Sequence, residues 1–186
     1  DMLGSIAHYM KEHSNIKVVI ASGDMDTLQL VEGGRIKVYT LKKGIQDTVL
    51  YNETAVKGRF GFGPKQVIDY KGLRGDPSDN IPGIKGIGEK TATDIITTFG
   101  SIESIYKKLK KDEAAFLAAG IKARMISLLK EGEEEAQFSK MLATIRRDAP
   151  ITFTLPSAPW RDGLHKESVL SLFGELGFRT LATRVQ

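Results

Sequence analysis

Asp76 and Asp79 stand just ahead of a run in which glycine recurs at positions 83, 86 and 88. The whole stretch, Gly75 to Ala92, reads Gly-Asp-Pro-Ser-Asp-Asn-Ile-Pro-Gly-Ile-Lys-Gly-Ile-Gly-Glu-Lys-Thr-Ala. Aspartates are the hard oxygen ligands that Mg²⁺ prefers, and spaced glycines let a backbone approach a phosphodiester with its N–H groups exposed. A divalent ion beside a held phosphate suits hydrolysis of nucleic acid. Asp24 and Asp26 make a second pair, whose side chains at i and i+2 of an extended loop point the same way and can share an ion. Each pair also has a plainer reading: Asp26 capping the helix that follows it, or Asp76 closing an Asx turn. A surface turn does not need three spaced glycines, so the hairpin favours the ion-and-phosphate reading of the second pair.

Other phosphate and metal motifs fit these residues poorly. A P-loop would place lysine directly after Gly88, where Glu89 stands, and the displaced Lys90 disfavours a nucleotide-dependent ATPase. A dinucleotide fingerprint would need glycine at Thr91, and an EF-hand would need alternating ligands and a distal glutamate. Lys85 and Lys90 flank the hairpin and are the best basic candidates for phosphate. The denser runs at residues 107–111 and 146–147 read as solvated helix faces, with DNA contact by the first an open alternative. His8, His13 and His165 have no partner pattern and read as surface residues. Trp160, in a proline-rich segment, reads as packing a loop.

These residues need elements to hold them. Residues 16–21 form a short β-branched run that predicts a buried strand, with Asp24 and Asp26 in the loop at its C-terminal end, where open α/β sheets place ligands. Leu3, Ile6, Ala7 and Met10 predict an amphipathic helix before it. Residues 27–31 predict a helical turn, and residues 36–39 and 48–51 two further strands around a turn at Lys43-Gly44. Asn52 and Thr54 are caps for the next helix, and Pro64 suits the first position of a helix running up to the Gly75 loop. From Gly88 the pattern is helical. Ala92, Ile95, Ile96 and Phe99 form a stripe ending at Gly100, and Ser101 caps a helix carrying Ile102, Ile105 and Leu109. Further helices are predicted over 114–119, 123–129 and 133–147. Pro150, Pro156 and Pro159 mark a linker before a helix bearing Leu172, Phe173 and Leu176. The division expected is 1–72, part of an α/β core; 73–147, a helical region containing the hairpin; and 148–186, a linker and terminal helix leading towards a further domain.

Composition sets the outer limits. The 186 residues are 41% apolar, enough for a sizeable core, and carry a net charge of +4 that favours polyanions without proving them. Without cysteine, disulfides and thiolate metal sites are excluded, leaving oxygen and histidine ligands. The apolar runs are too short to span a bilayer, so no membrane role is expected and the chain reads as soluble and intracellular. It opens at Asp1 inside a helical pattern, which reads as a fragment with a segment missing upstream.

Taken together, the residues quoted above resemble the 5′ nuclease, flap-endonuclease-like family, and within it the 5′-3′ exonuclease domains of bacterial DNA polymerase I. Leu73 to Ala92 is similar to that family's metal loop and helix-hairpin-helix. Ala21 to Leu30 is similar to its Asp-x-Asp segment, with Met25 where a basic residue is common, and Asp1-Met2-Leu3 resembles the end of its acidic segment. The resemblance implies a partial parallel-sheet nuclease core of PIN or 5′ nuclease type, followed by a mostly helical region with the helix-hairpin-helix (H3TH) motif.

It also implies a site. Asp1, Asp24, Asp26, Asp76 and Asp79 would belong to a carboxylate cluster for two Mg²⁺ or Mn²⁺ ions, with Asp24, Asp26, Asp76 and Asp79 serving catalysis. Gly83, Lys85, Gly86, Gly88, Lys90 and Thr91 would hold DNA, with K⁺ as a further ligand of the hairpin carbonyls. The expected substrates are 5′ flaps, nicked DNA and duplex ends in primer removal and repair, in a bacterial cytoplasm next to the nucleoid. A polymerase domain would follow in the same polypeptide, and the fragment alone could be inactive for want of its upstream ligands. The alternative is a non-catalytic duplex-binding helix-hairpin-helix module, for which the four inner aspartates would be a liability because they repel phosphate.

Overall fold

The chain forms two units, residues 1–151 and 152–186, and the computed structural model describes residues 1–13, 15–43 and 47–185. In the first unit α1 (Met2–Tyr9) precedes a mixed sheet of β1 (Val18–Ala21), β2 (Ile36–Lys43) and β3 (Asp47–Tyr51). β2 lies in the middle, parallel to β1 and antiparallel to β3. The expected turn at Lys43-Gly44 falls at residues 44–46, outside the described ones.

The first strand is not buried throughout as its β-branched run suggested. Only Ile20 is inside, while Val19 is 57% exposed. The reason is pleating: alternate residues take opposite faces, and only the face of Ile20, Ile36, Val38 and Tyr51 meets the core. On the other face Tyr39, Leu41 and Leu50 are exposed with Val19. The stripe on α1 is also shifted, because Leu3 is exposed and Gly4 and Ser5 turn inward. Gly4 lies against Ile145 and the Arg146 carbonyl with no room for a side chain.

The helices follow the sequence pattern closely. Asn52 caps α2 (Glu53–Phe60) by accepting from the Ala55 N–H, and Pro64 opens a 3-10 turn that leads into α3 (Val67–Arg74). Ala92, Ile95 and Ile96 of α4 (Glu89–Phe99) are buried, and Ser101 caps α5 (Ile102–Lys111). Then come α6 (Ala114–Ala118), α7 (Ala123–Glu131) and α8 (Glu133–Ala143). The last ends at Ala143 and not at 147, since Thr144 turns extended with ψ 117°.

α3 is the central helix, packed on α4, α5 and α8. Gly72 makes its approach to α8 possible, since a methyl group there would sit 2.9 Å from the Ala136 carbonyl oxygen. Asp69, 3% exposed, fastens three helices by accepting from the Ile102 N–H of α5 and pairing with Lys140 of α8 at 2.6 Å.

The second unit holds a 3-10 turn (Trp160–Gly163), α9 (Lys166–Glu175) and α10 (Arg179–Val185). Phe173 and Phe178 pack with ring centroids 6.0 Å apart. Trp160 does not pack a loop: it is 71% exposed, with the Arg161 guanidinium 5.9 Å above its ring.

Candidate metal and phosphate site

The first carboxylate loop leaves β1 and tightens at once into a 3-10 turn, Met25–Leu30. Asp24, not Asp26, is its cap: Asp24 Oδ1 accepts the Asp26 N–H at 2.8 Å. Asp26 is thereby free to turn inward, with 14% side-chain exposure. Buried Gln29 holds the turn from behind by donating to the Ala143 carbonyl and accepting from the Ile145 N–H, both at 2.9 Å, at the end of α8.

The second loop starts where Gly75 ends α3. Asp76 and Ile81 exchange both backbone hydrogen bonds, 2.8 and 2.9 Å, closing a six-residue ring around Pro77–Asp79. Asp76 Oδ1 accepts from the Ser78 N–H and hydroxyl. The Asx turn is therefore real, and it leaves Asp76 Oδ2 directed elsewhere, to the ammonium of Lys71 at 2.6 Å. Burial pushes the Asp76 pKa up, but Lys71 and Ser78 outweigh it and hold the carboxyl down at about 2.

The two loops meet. One carboxylate oxygen each from Asp26, Asp76 and Asp79 lies within 4.8 Å of the others. They open on a cleft of about 370 Å³ that is also lined by Asp24, Arg59, Tyr70, Lys71 and Arg74. Asp26 Oδ1 is buried and accepts no well-formed hydrogen bond, although the Lys71 ammonium presses against it. Three converging hard oxygens suit a hard divalent cation.

Not every aspartate joins them. Asp24 reaches the cleft wall but spends one oxygen on its cap. Asp1 is exposed and accepts the Arg146 N–H at 2.9 Å. It shares a small recess of about 160 Å³ with Asp24, Asp26 and Leu142, but its own carboxylate is not among the three that meet.

The hairpin divides in a similar way. Ile84 and Ile87 anchor it at 5% and 3% exposure. Gly83 does not turn outward as its motif position suggests: it is buried, and its N–H donates to the Ser139 hydroxyl of α8 at 2.9 Å. Lys85, Gly86, Gly88 and Lys90 are exposed and Thr91 is half-buried. Among the described residues no acceptor meets the N–H of Gly86 or Gly88. Gly86, Lys90 and Thr91 border a groove of about 480 Å³ whose far wall is Gly120, Lys122 and Met125. In the basic runs, Lys108 pairs with Asp112, Lys110 with Glu133 and Arg146 with Asp148, as solvated faces do.

Lys71 is the site residue that sequence reasoning passed over, as one of several residues of a predicted helix. The available signal was its place in the last turn of that helix, five residues ahead of Asp76, where a side chain reaches forward to the loop. Arg59 and Tyr70 come from helix positions with no such signal.

Residues 62–165 match the model of a family described as 5′-3′ exonuclease, C-terminal SAM fold. Over its full length the chain is 37% identical to DNA polymerase I of Bacillus caldotenax, and 38% identical over 185 residues to that of Bacillus subtilis. It spans 20% of the length of each of these relatives. A structure of T5 5′-exonuclease with bound zinc shares the fold, with TM-score 0.60 and 23% identity over 75% of this chain and 48% of that one. Since the family model takes in more than half of its residues, the chain belongs to the 5′-3′ exonuclease family.

Proposed function

We propose that the chain forms part of a divalent-metal-dependent 5′-3′ exonuclease or flap endonuclease domain, acting on DNA within a longer polypeptide that also carries a polymerase. The observation that carries this reading is the meeting of Asp26 with Asp76 and Asp79 from a distant loop. Nothing in the packing of the core requires three carboxylates at one point, and the single Lys71 ammonium among them offsets only one of their three charges. The relatives are DNA polymerases I, and a T5 flap endonuclease has been solved with DNA and metal ions.

In this reading Asp26, Asp76 and Asp79 hold the inner cation, and Asp24 and Asp1 face the edge where a second ion of a complete site would lie. Mg²⁺ or Mn²⁺ bound there supplies Lewis-acid charge for in-line attack of water on a phosphodiester. The chain's own part is binding and orientation. The free N–H groups of Gly86 and Gly88, the ammonium groups of Lys85 and Lys90 and the Thr91 hydroxyl hold duplex phosphates without reading bases. The start of α4 adds its dipole, and hairpin carbonyls are the place for K⁺. Because the loop and hairpin are joined through one closed ring, a phosphate held at the hairpin fixes where the backbone crosses the carboxylates.

A duplex-binding module without catalysis would use the hairpin alone. The two readings separate on cleavage of a 5′-flap DNA with Mg²⁺ by the longer protein carrying Asp76→Ala or Asp79→Ala. We expect at least a hundredfold or so loss of rate with duplex binding retained. Undiminished cleavage in both variants removes the metal assignment and leaves the binding module.

A further inference from the structure

Lys71 occupies the point on which the three carboxylates converge. Its ammonium contacts Asp26 Oδ1, lies 2.6 Å from Asp76 Oδ2 and 3.8 Å from Asp79 Oδ2. The residue is 8% exposed, it stands in the last turn of α3, and its carbonyl accepts the Gly75 N–H at 2.8 Å. A lysine so enclosed is no incidental surface partner. The cluster has three negative charges, and Lys71 is the cation found in contact with all of them among the described residues.

We infer that Lys71 is a built-in counter-ion, which holds the carboxylate cluster together in the metal-free protein and has to be displaced from its centre for a divalent ion to enter. The inference rests on the metal reading above. Its physical basis is exclusion. An ammonium takes carboxylate oxygens at about 2.7–2.9 Å and Mg²⁺ takes them at about 2.0–2.1 Å, so both cannot be centred on the same three oxygens. Their like charges also repel strongly at such range in a partly buried site. Lys71 therefore lowers metal affinity while it keeps Asp26, Asp76 and Asp79 from springing apart.

The test is Mn²⁺ binding by the 186-residue chain without DNA, read by electron paramagnetic resonance, in the unaltered protein, Lys71→Met, Lys71→Gln and Asp76→Asn/Asp79→Asn. Both lysine variants should bind Mn²⁺ at least about fivefold more tightly than the unaltered chain. Metal-free, both should melt at a lower temperature, and Mn²⁺ should restore much of the loss. Binding no tighter than in the unaltered chain, with all three above the double asparagine variant, overturns the role of Lys71 and leaves the metal site standing. Binding in all three no better than in the double variant removes the site, and this inference with it. Should neither lysine variant fold, Mg²⁺ titration of the unaltered chain decides by NMR. The Lys71 ε-methylene signal should move to that of a free lysine, and a signal that stays in place overturns the inference.

Discussion

The α-carbon of Gly83 faces the backbone of Gly75 so closely that a methyl group on Gly83 would collide with the Gly75 nitrogen. Gly83 also has φ +59°, in the left-handed region. A Gly83→Ala variant therefore suffers twice, from conformation and from a backbone that cannot move aside. We expect a loss of at least about 2 kcal/mol, read as a lower urea midpoint.

Ser139 holds the same hairpin from the other side. Its hydroxyl, fully buried, is the acceptor of the Gly83 N–H. Ser139→Ala keeps the packing volume nearly unchanged but leaves that N–H buried without a partner, at a cost of about 1–3 kcal/mol. Thermal unfolding measures the cost. Amide exchange at Gly83 should quicken more than at Ile95, which lies elsewhere in the same core.

The ion pair of Lys140 with Asp69 should respond more sharply. Lys140→Met leaves the Asp69 carboxylate buried and without its cation, and the expected loss is about 3 kcal/mol in denaturant unfolding. Burial pulls the Lys140 pKa down, but hydrogen bonds to Asp69 and Glu103 outweigh it and raise it overall. A raised folded-state pKa means that this contribution is complete below the ordinary lysine pKa and fades as pH climbs through the raised one. The unaltered chain should lose stability in that alkaline range, and the Lys140→Met variant should lose less.

Acid acts on Asp76 with the opposite sign. With its carboxyl held down at about 2, folding is favoured above the ordinary aspartate pKa, and that contribution is lost as pH falls from about 4 towards 2. Acid titration of unfolding in the metal-free chain should show the loss, and an Asp76→Asn variant should lack that part of the slope.

Under the proposed function, the hairpin lysines govern affinity and not sequence preference. Lys85→Ala and Lys90→Ala should each weaken duplex binding about equally across sequences, and each should reduce the slope of log affinity against log salt by about 1. Binding isotherms at several salt concentrations check this. An unchanged slope in both variants removes the hairpin from the DNA interface.

Much of the scaffold was legible in sequence because its signals are local. Asn52 and Ser101 cap the helices that directly follow them, and Gly100 ends α4. The faces of Val19 and Leu3 were misread because a β-branched run and a helical stripe say which residues are apolar, not which neighbours arrive to cover them. Gly83 was misplaced for a similar reason: a motif gives its backbone freedom, while the hydroxyl that claims its N–H comes from α8. Chemistry singled out the carboxylates as candidates, yet which three meet depends on how Asp24 spends an oxygen on its own turn. Lys71 shows the same limit, because its role exists only once α3 and two loops are folded together.

The closed ring from Asp76 to Ile81 has one more consequence. Two backbone hydrogen bonds make it a stiff link, with the carboxylates at one end and the phosphate hairpin at the other. A stiff link between a grip and a cutting point behaves as a ruler. Under the proposed function, the number of nucleotides between the gripped phosphate and the broken bond is set by the length of this ring, and lengthening the loop by one residue should move the cut or abolish it.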